Sequence, residues 1–160
     1  MYLLDANVLI DGKNRHYGFD IAPGFWDWLV QAHDSGRVFT VRAVADEIIA
    51  GGDELSRWMA ARPSSFRLAP GAGDQPSLTA LAQWAAGHHF TAAAVSDFLS
   101  AADYFLVAQA ATLGHQVVTH ETSEPARRNR VKIPDACRVV GVASMTPFDM
   151  LRAEGVRLRL

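Results

Sequence analysis

The chain has 160 residues, 49% hydrophobic and 20% charged, with a formal net charge of −2. That length suits one well-buried domain over residues 1–160 and is too short for two ordinary ones, while the composition excludes disorder of the chain as a whole. So small a charge offers no global attraction to a polyanion, so any nucleic-acid binding depends on a local basic patch or on metal ions that offset acidic groups.

In chain order, Tyr2 to Leu4 is the first strand candidate: a short apolar run that meets Asp5 at once. Asn7 or Asp5 can cap a helix starting near Val8, and Pro23 precedes a helix over Gly24 to His33. Val38 to Val41 is the second strand, followed by a long helical stretch over Ala43 to Arg62. Pro70 to Pro76 is the clearest loop. Helical spacing returns over Ser77 to Ala86 and over Ser100 to Leu113, where Asp103, Leu106, Val107, Ala110 and Leu113 form one stripe and Gly114 marks the end. Gln116 to Thr119 is the third strand, Val142 to Ser144 a weaker one, and Pro147 to Ala153 the last helix. Strand alternating with helix predicts an α/β domain with a parallel sheet covered by helices, because a parallel return needs a crossover.

Cys137 is the only cysteine, which excludes an intramolecular disulfide and suits a reducing compartment. The N-terminal segment has no basic n-region, and no apolar run approaches the ~20 residues of a membrane helix. The expected setting is the cytoplasm, without membrane association.

In an open α/β sheet, ligands collect beyond the carboxyl ends of the strands. Asp5 follows the first strand, Glu121 lies just past the third, Glu47 is in the helix after the second, and Asp103 opens the helix leading to the third. Four carboxylates brought together raise one another's pKa unless a cation is present, and oxygen-only ligands favour Mg²⁺ or Mn²⁺ over zinc. The chemistry implied is phosphodiester hydrolysis by a metal-bound water. Each acid also has a plain structural alternative: a helix cap for Asp5, a solvated face for Glu47, a helix-dipole charge for Asp103 and an exposed turn for Glu121.

The joint pattern, Asp5-Ala6-Asn7-Val8-Leu9-Ile10, Glu47-Ile48, Asp103-x-x-Leu106-Val107-Ala108-x-Ala110 and Val117-Val118-Thr119-His120-Glu121, resembles the PIN-domain family over nearly the whole chain. The resemblance implies a PIN-like, three-layer α/β/α fold and metal-dependent RNA cleavage, with Asp5, Glu47 and Asp103 as the first three acids and Asn7 and Thr119 in support. At the fourth position the family's common Thr-x-Asp becomes Thr119-His120-Glu121, and a second acid follows in Lys132-Ile133-Pro134-Asp135. The fourth ligand is then Glu121, with Asp135 either adding a distal ligand or replacing it. Many bacterial members are VapC-like toxin ribonucleases, so the resemblance also implies a cognate antitoxin and a homodimer. The Thr-His-Glu and Lys-Ile-Pro-Asp pairing looks like a bacterial PIN-like subgroup apart from the best-known toxins.

Arg127, Arg128, Arg130 and Lys132 crowd the segment between the two late acids and are candidates for holding RNA phosphates, or else charges of a solvated loop. The Phe25, Trp26 and Trp28 cluster fits core or dimer packing better than base stacking. His120-Glu121 lacks the later histidine of a zinc-protease motif, and the phosphate-loop and Gly-x-Ser-x-Gly patterns are absent. Two alternatives stand beside the nuclease: a catalytically weak PIN-like module that binds RNA or protein, and an aspartyl-nucleophile phosphatase. The latter usually needs a second carboxylate two residues after the nucleophile, where Asn7 stands.

Overall fold

Three buried residues, Tyr2, Leu3 and Leu4, form the strand β1 (Tyr2–Leu4), apolar on both faces because it lies at the centre of the sheet. The structure, a computed structural model, describes residues 1–158. A short helix, α1 (Ala6–Asp11), runs into a π-helical turn at Gly12–His16, and α2 (Pro23–Asp34) begins with proline in its first turn. β2 (Val38–Val41) leads directly into α3 (Arg42–Ala50) and α4 (Glu54–Ala60). After a 3-10 turn comes β3 (Arg67–Leu68), then α5 (Gln75–Gly87), α6 (Ala92–Ser100) and α7 (Ala102–Leu113). The chain ends its described part with β4 (Gln116–Val118), α8 (Ile133–Val139), β5 (Ser144–Met145) and α9 (Pro147–Ala153).

The strands form one parallel sheet in the order β3-β2-β1-β4-β5, with Tyr2 opposite Val38 on one side and Leu4 opposite Val118 on the other. From β1 the chain builds outward first through β2 and β3, then returns to the other side for β4 and β5. The direction of winding therefore reverses between β1 and β4, and the crevice beyond their carboxyl ends is where such sheets bind ligands. With helices over the sheet, the architecture is the expected three-layer α/β/α sandwich.

Several elements differ from the sequence reading, each for a local reason. The single helix expected over Ala43 to Arg62 breaks into α3 and α4 at Gly51-Gly52, where Gly52 takes φ +70° and Asp53 caps the new helix by accepting from the Ser56 N–H. The Pro70 to Pro76 loop holds a 3-10 turn at Ala72–Asp74 and the first residues of α5. β3 is a two-residue edge strand, too short for alternation to show, and β5 lies slightly later than Val142 to Ser144. α6 and α8 were not expected. Gly114 ends α7 in the left-handed region at φ +67°, as its position suggested. Phe25 and Trp26 are buried in stacks with Tyr17 and Phe19, at ring separations of 4.2 Å and 4.1 Å. Phe25 and Trp26 belong to the core, and Trp28 packs half-buried against it.

Candidate metal centre

Because β1 and β4 are parallel neighbours, the residues that follow them emerge side by side. The Asp5 N–H extends the ladder to the Val118 carbonyl at 3.0 Å, and Thr119 Oγ1 donates to Asp5 Oδ2 at 2.9 Å. Asp5 stands at the N-cap position of α1 yet makes no capping bond. Its carboxylate points the other way.

The Thr119 hydroxyl, itself buried, ties the site together. It gives its proton to Asp5 and accepts from Asn7 Nδ2 at 3.3 Å and from the Glu121 N–H at 3.1 Å. The Asn7 side-chain oxygen, Oδ1, accepts from the His120 N–H at 3.1 Å, which stitches α1 to the segment after β4. Asn7 and Thr119 thus both act on Asp5, Thr119 directly and Asn7 through it.

Around Asp5 opens a cavity of about 240 Å³ whose walls include Asn7, Glu47, Asp103, Glu121 and Arg130. Glu47 reaches it from an exposed position on α3. Asp103 reaches it from the first turn of α7, delivered by the extended residue Ala101 between α6 and α7. Glu121 arrives after β4, its side chain 7% exposed. Four acids from four separated parts of the chain therefore face one cavity.

Electrostatics mark it as strained. Burial pushes the Asp5 carboxyl up to about 8, the Asp103 charge adds to this, and the Thr119 hydroxyl opposes it. Burial, then the charges of Glu121 and Glu47, push Asp103 up to about 6. Cys137, buried nearby, has its thiol raised to about 12 by burial and then by Asp5, so it is no nucleophile at neutral pH.

Among the described residues, no three His, Cys, Asp or Glu side chains already stand in ligating geometry. Glu121 explains part of this: one oxygen accepts from Arg130 and the other from the Ile133 N–H at 2.8 Å. The donor chemistry nevertheless fits a hard divalent cation. Mg²⁺ needs only one or two carboxylates and keeps several waters, and the under-compensated Asp5 and Asp103 are oxygen donors whose charged forms a cation favours.

Glu121 and Asp135 lie in different places. Asp135 does not reach this cavity, because it sits in the first turn of α8 with its carboxylate turned back onto Ser123 Oγ and the Glu124 N–H, the latter at 2.9 Å. It lines a different hollow with Trp84, Pro125 and Arg138. The four basic residues are likewise placed apart. Arg127 and Lys132 pair with Glu124, and Arg128 donates to the His89 carbonyl, so only Arg130 of the four lines the acid cavity. The sequence reading placed no residue of α6 near the site, although Thr91 followed by an alanine-rich run carried a helix-start signal; Asp97 and Phe98 of this helix border a second hollow beside Asp103.

No curated protein matches the chain. Among solved structures, the chain is similar to the crystal structure of FitAcB from Neisseria gonorrhoeae, with a TM-score of 0.58 and 17% identity, covering 92% of this chain and 99% of that one. At that identity the likeness is one of fold, and the fold is PIN-like. Residues 2–158 match the family described as a domain of unknown function, DUF4411, and the chain belongs to that family.

Proposed function

We propose that this protein is an endoribonuclease that hydrolyses RNA phosphodiester bonds with Mg²⁺ or Mn²⁺, acting as the toxin of a toxin–antitoxin pair. The observation that carries the nuclease reading is the meeting of Asp5, Glu47, Asp103 and Glu121 in one small cavity at the point where the sheet reverses its winding. Asp5 and Asp103 would hold the ion, with Glu47 binding directly or through a water. A divalent ion held there would supply charge for a phosphate oxygen and would lower the pKa of a bound water.

The chain's own residues set the geometry. Thr119 fixes which Asp5 oxygen is spoken for, and Asn7 holds Thr119. Arg130, pinned by Glu121, is the one cation lining the cavity among the described residues and offers a donor for a phosphate oxygen. Glu121 is best read as an anchor for Arg130 and for the start of α8. RNA as substrate, a cognate antitoxin and a homodimer rest on the PIN-domain resemblance of the motifs; among the described residues no helix is long and apolar enough to cross a membrane.

The full commitment of Glu121 favours one second reading, a PIN-like module that binds RNA or protein without cutting. The phosphatase reading loses ground, since Asn7, at the place of the second carboxylate, has both ends of its amide engaged. Incubation of the purified protein with total RNA and Mn²⁺ tests the proposal. Cleavage that stops with EDTA and in Asp5→Asn and Asp103→Asn is expected; an intact RNA pool favours the binding module, and cleavage undiminished in both variants refutes the site.

A further inference from the structure

Three rings from separated parts of the chain meet beside the acid cavity: His16 of the π-helical turn, His120 just past β4, and Phe148 in the first turn of α9. Ring centroids lie 5.3 Å apart for His16 and His120, 5.5 Å for His16 and Phe148, and 5.8 Å for His120 and Phe148. β1, β4 and β5 are consecutive in the sheet, so the segments that follow them emerge side by side, and the trio continues the carboxyl end of the sheet from the cavity towards β5. The link to the cavity is short. His120 directly precedes Glu121, a wall of the cavity, and its N–H is bonded to the side chain of Asn7, another wall.

The segments that carry these rings are tied down, and the rings themselves are open. The Tyr17 N–H donates to the Gly12 carbonyl at 2.5 Å, Trp26 Nε1 donates to the Tyr17 carbonyl at 2.6 Å, and Lys13 pairs with Asp53, which together fix the π-helical turn, a rare conformation found frequently at functional sites. Thr146 caps α9 by accepting from the Asp149 N–H at 3.1 Å and so fixes the turn that bears Phe148. Unlike the buried stacks around Phe25 and Trp26, His16 is exposed, His120 is half-buried and Phe148 is 38% exposed. The composition of the surface bears on its ligand. A protein anchor calls for an apolar pocket, whereas two of these three rings are imidazoles with polar edges. No hydrogen bond among the described residues engages the ring nitrogens of His16 or His120, in contrast to those of His33 and His89. Arg15, next to His16, approaches Asp11 no closer than 3.5 Å and keeps its side chain 73% exposed. Exposed rings beside a cation, next to a site suited to phosphate chemistry, match the way single strands are held, by base faces and backbone charge together. A base paired within a duplex has no free face to offer.

We propose that His16, His120 and Phe148 form a stacking ledge for an unpaired base of single-stranded RNA whose neighbouring phosphate lies at the acid cavity, with Arg15 supplying charge to the backbone. The inference rests on the nuclease reading for its ligand, RNA, and says how that ligand is held: as a single strand, through the faces of its bases and without preference for sequence. Stacking of one base on such a surface changes affinity by roughly fivefold to a hundredfold.

The test is binding of single-stranded oligouridines that carry the fluorescent base 2-aminopurine at each position in turn, in Ca²⁺ buffer, to the wild type, Phe148→Ala, Phe148→Leu and Phe148→Tyr. Circular dichroism checks that each variant folds, and two different non-aromatic substitutions guard against one that does not. The expected result is quenching of 2-aminopurine at one position or a few, binding by Phe148→Tyr equal to that of the wild type, and binding at least about fivefold weaker, with loss of the quenching, in Phe148→Ala and Phe148→Leu. Binding and quenching that survive in Phe148→Leu, equal binding of the same oligomer in duplex form, or no binding at all overturns the ledge; the first of these outcomes assigns the surface to apolar contact with a protein instead. Cleavage of the same oligomers with Mn²⁺ separates the two claims. Cleavage without quenching at any position keeps the nuclease and refutes the ledge, whereas Phe148-dependent quenching without cleavage keeps the ledge and refutes the nuclease.

Discussion

Asp5 and Asp53 occupy the same nominal place, the N-cap position of a helix, and live under opposite electrostatic conditions. Asp53 does what such a residue ordinarily does. It accepts from the Ser56 N–H at 2.9 Å, pairs with Lys13, and those bonds, led by the Lys13 contact, hold its carboxyl well below the usual range. Asp5 makes no capping bond, is buried beside other acids, and is pushed up to about 8. A carboxylate surrounded by donors is held in its charged form; one buried beside other acids is short of them, and a cation would stabilise its charged form. On the proposed function, the contrast separates the two acids by unmet demand for positive charge rather than by position on a helix.

The largest expected effect is on catalysis. If Asp5 and Asp103 hold the ion as proposed, Asp5→Asn and Asp103→Asn are each expected to lower Mn²⁺-dependent RNA cleavage by roughly a hundredfold or more, since each replaces a charged carboxylate by a neutral amide. Asp53→Asn, at an equivalent helix position, should leave it within about twofold of wild type. Equal losses at positions 5 and 53, measured as initial rates, would erase the distinction.

Stability should respond to pH in opposite senses at the two aspartates. Asp5, raised from 3.8 to about 8, contributes stability that is fully present below about pH 4 and is lost as pH climbs through about 8; for the metal-free protein the loss is on the order of 5 kcal/mol. Asp103, raised to about 6, acts in the same direction. Asp53 is the reverse: its contribution is present above about pH 4 and is lost as acid is added below that. Thermal melts should therefore show the metal-free protein weakening from about pH 5 to about pH 8, with Mg²⁺ or Mn²⁺ raising Tm more at the higher pH and Asp5→Asn flattening the decline. A decline that persists in full in Asp5→Asn would assign it to other groups.

Smaller effects follow for acids with structural partners. Asp135→Ala leaves the Ser123 hydroxyl and the Glu124 N–H without their acceptor and should cost about 1–3 kcal/mol in denaturant melts while leaving Mn²⁺ affinity unchanged. A marked loss of Mn²⁺ affinity would return Asp135 to the metal centre. Asp53→Ala removes the α4 cap and should cost about 1 kcal/mol, again without effect on metal binding.

How much of this was legible beforehand depends on the range of the interaction. The central strands could be read from their apolar runs, because β1, β2 and β4 are buried and flanked by turns or helix starts. The four acids could be picked out because each lies at or near the carboxyl end of such a strand or at the helix feeding it. The Gly51-Gly52 break was visible in principle as a turn signal within a helical stretch. Directions of side chains were not legible. Nothing local to Lys132-Ile133-Pro134-Asp135 says that α8 begins there and turns Asp135 back to Ser123, and nothing near Glu121 announces Arg130 and the Ile133 N–H as its partners. Likewise, the basic residues looked like one patch in sequence, whereas Glu124 draws Arg127 and Lys132 away and leaves Arg130 alone at the cavity.

The most direct test of the central claim is Mn²⁺ titration followed by electron paramagnetic resonance near neutral pH, on the wild type, Asp5→Asn, Asp103→Asn and Asp53→Asn. The account predicts saturable binding by the wild type and Asp53→Asn, and a loss of affinity of about tenfold or more in Asp5→Asn and Asp103→Asn. Absence of saturable binding in the wild type, or equal affinity in all four proteins, would contradict it.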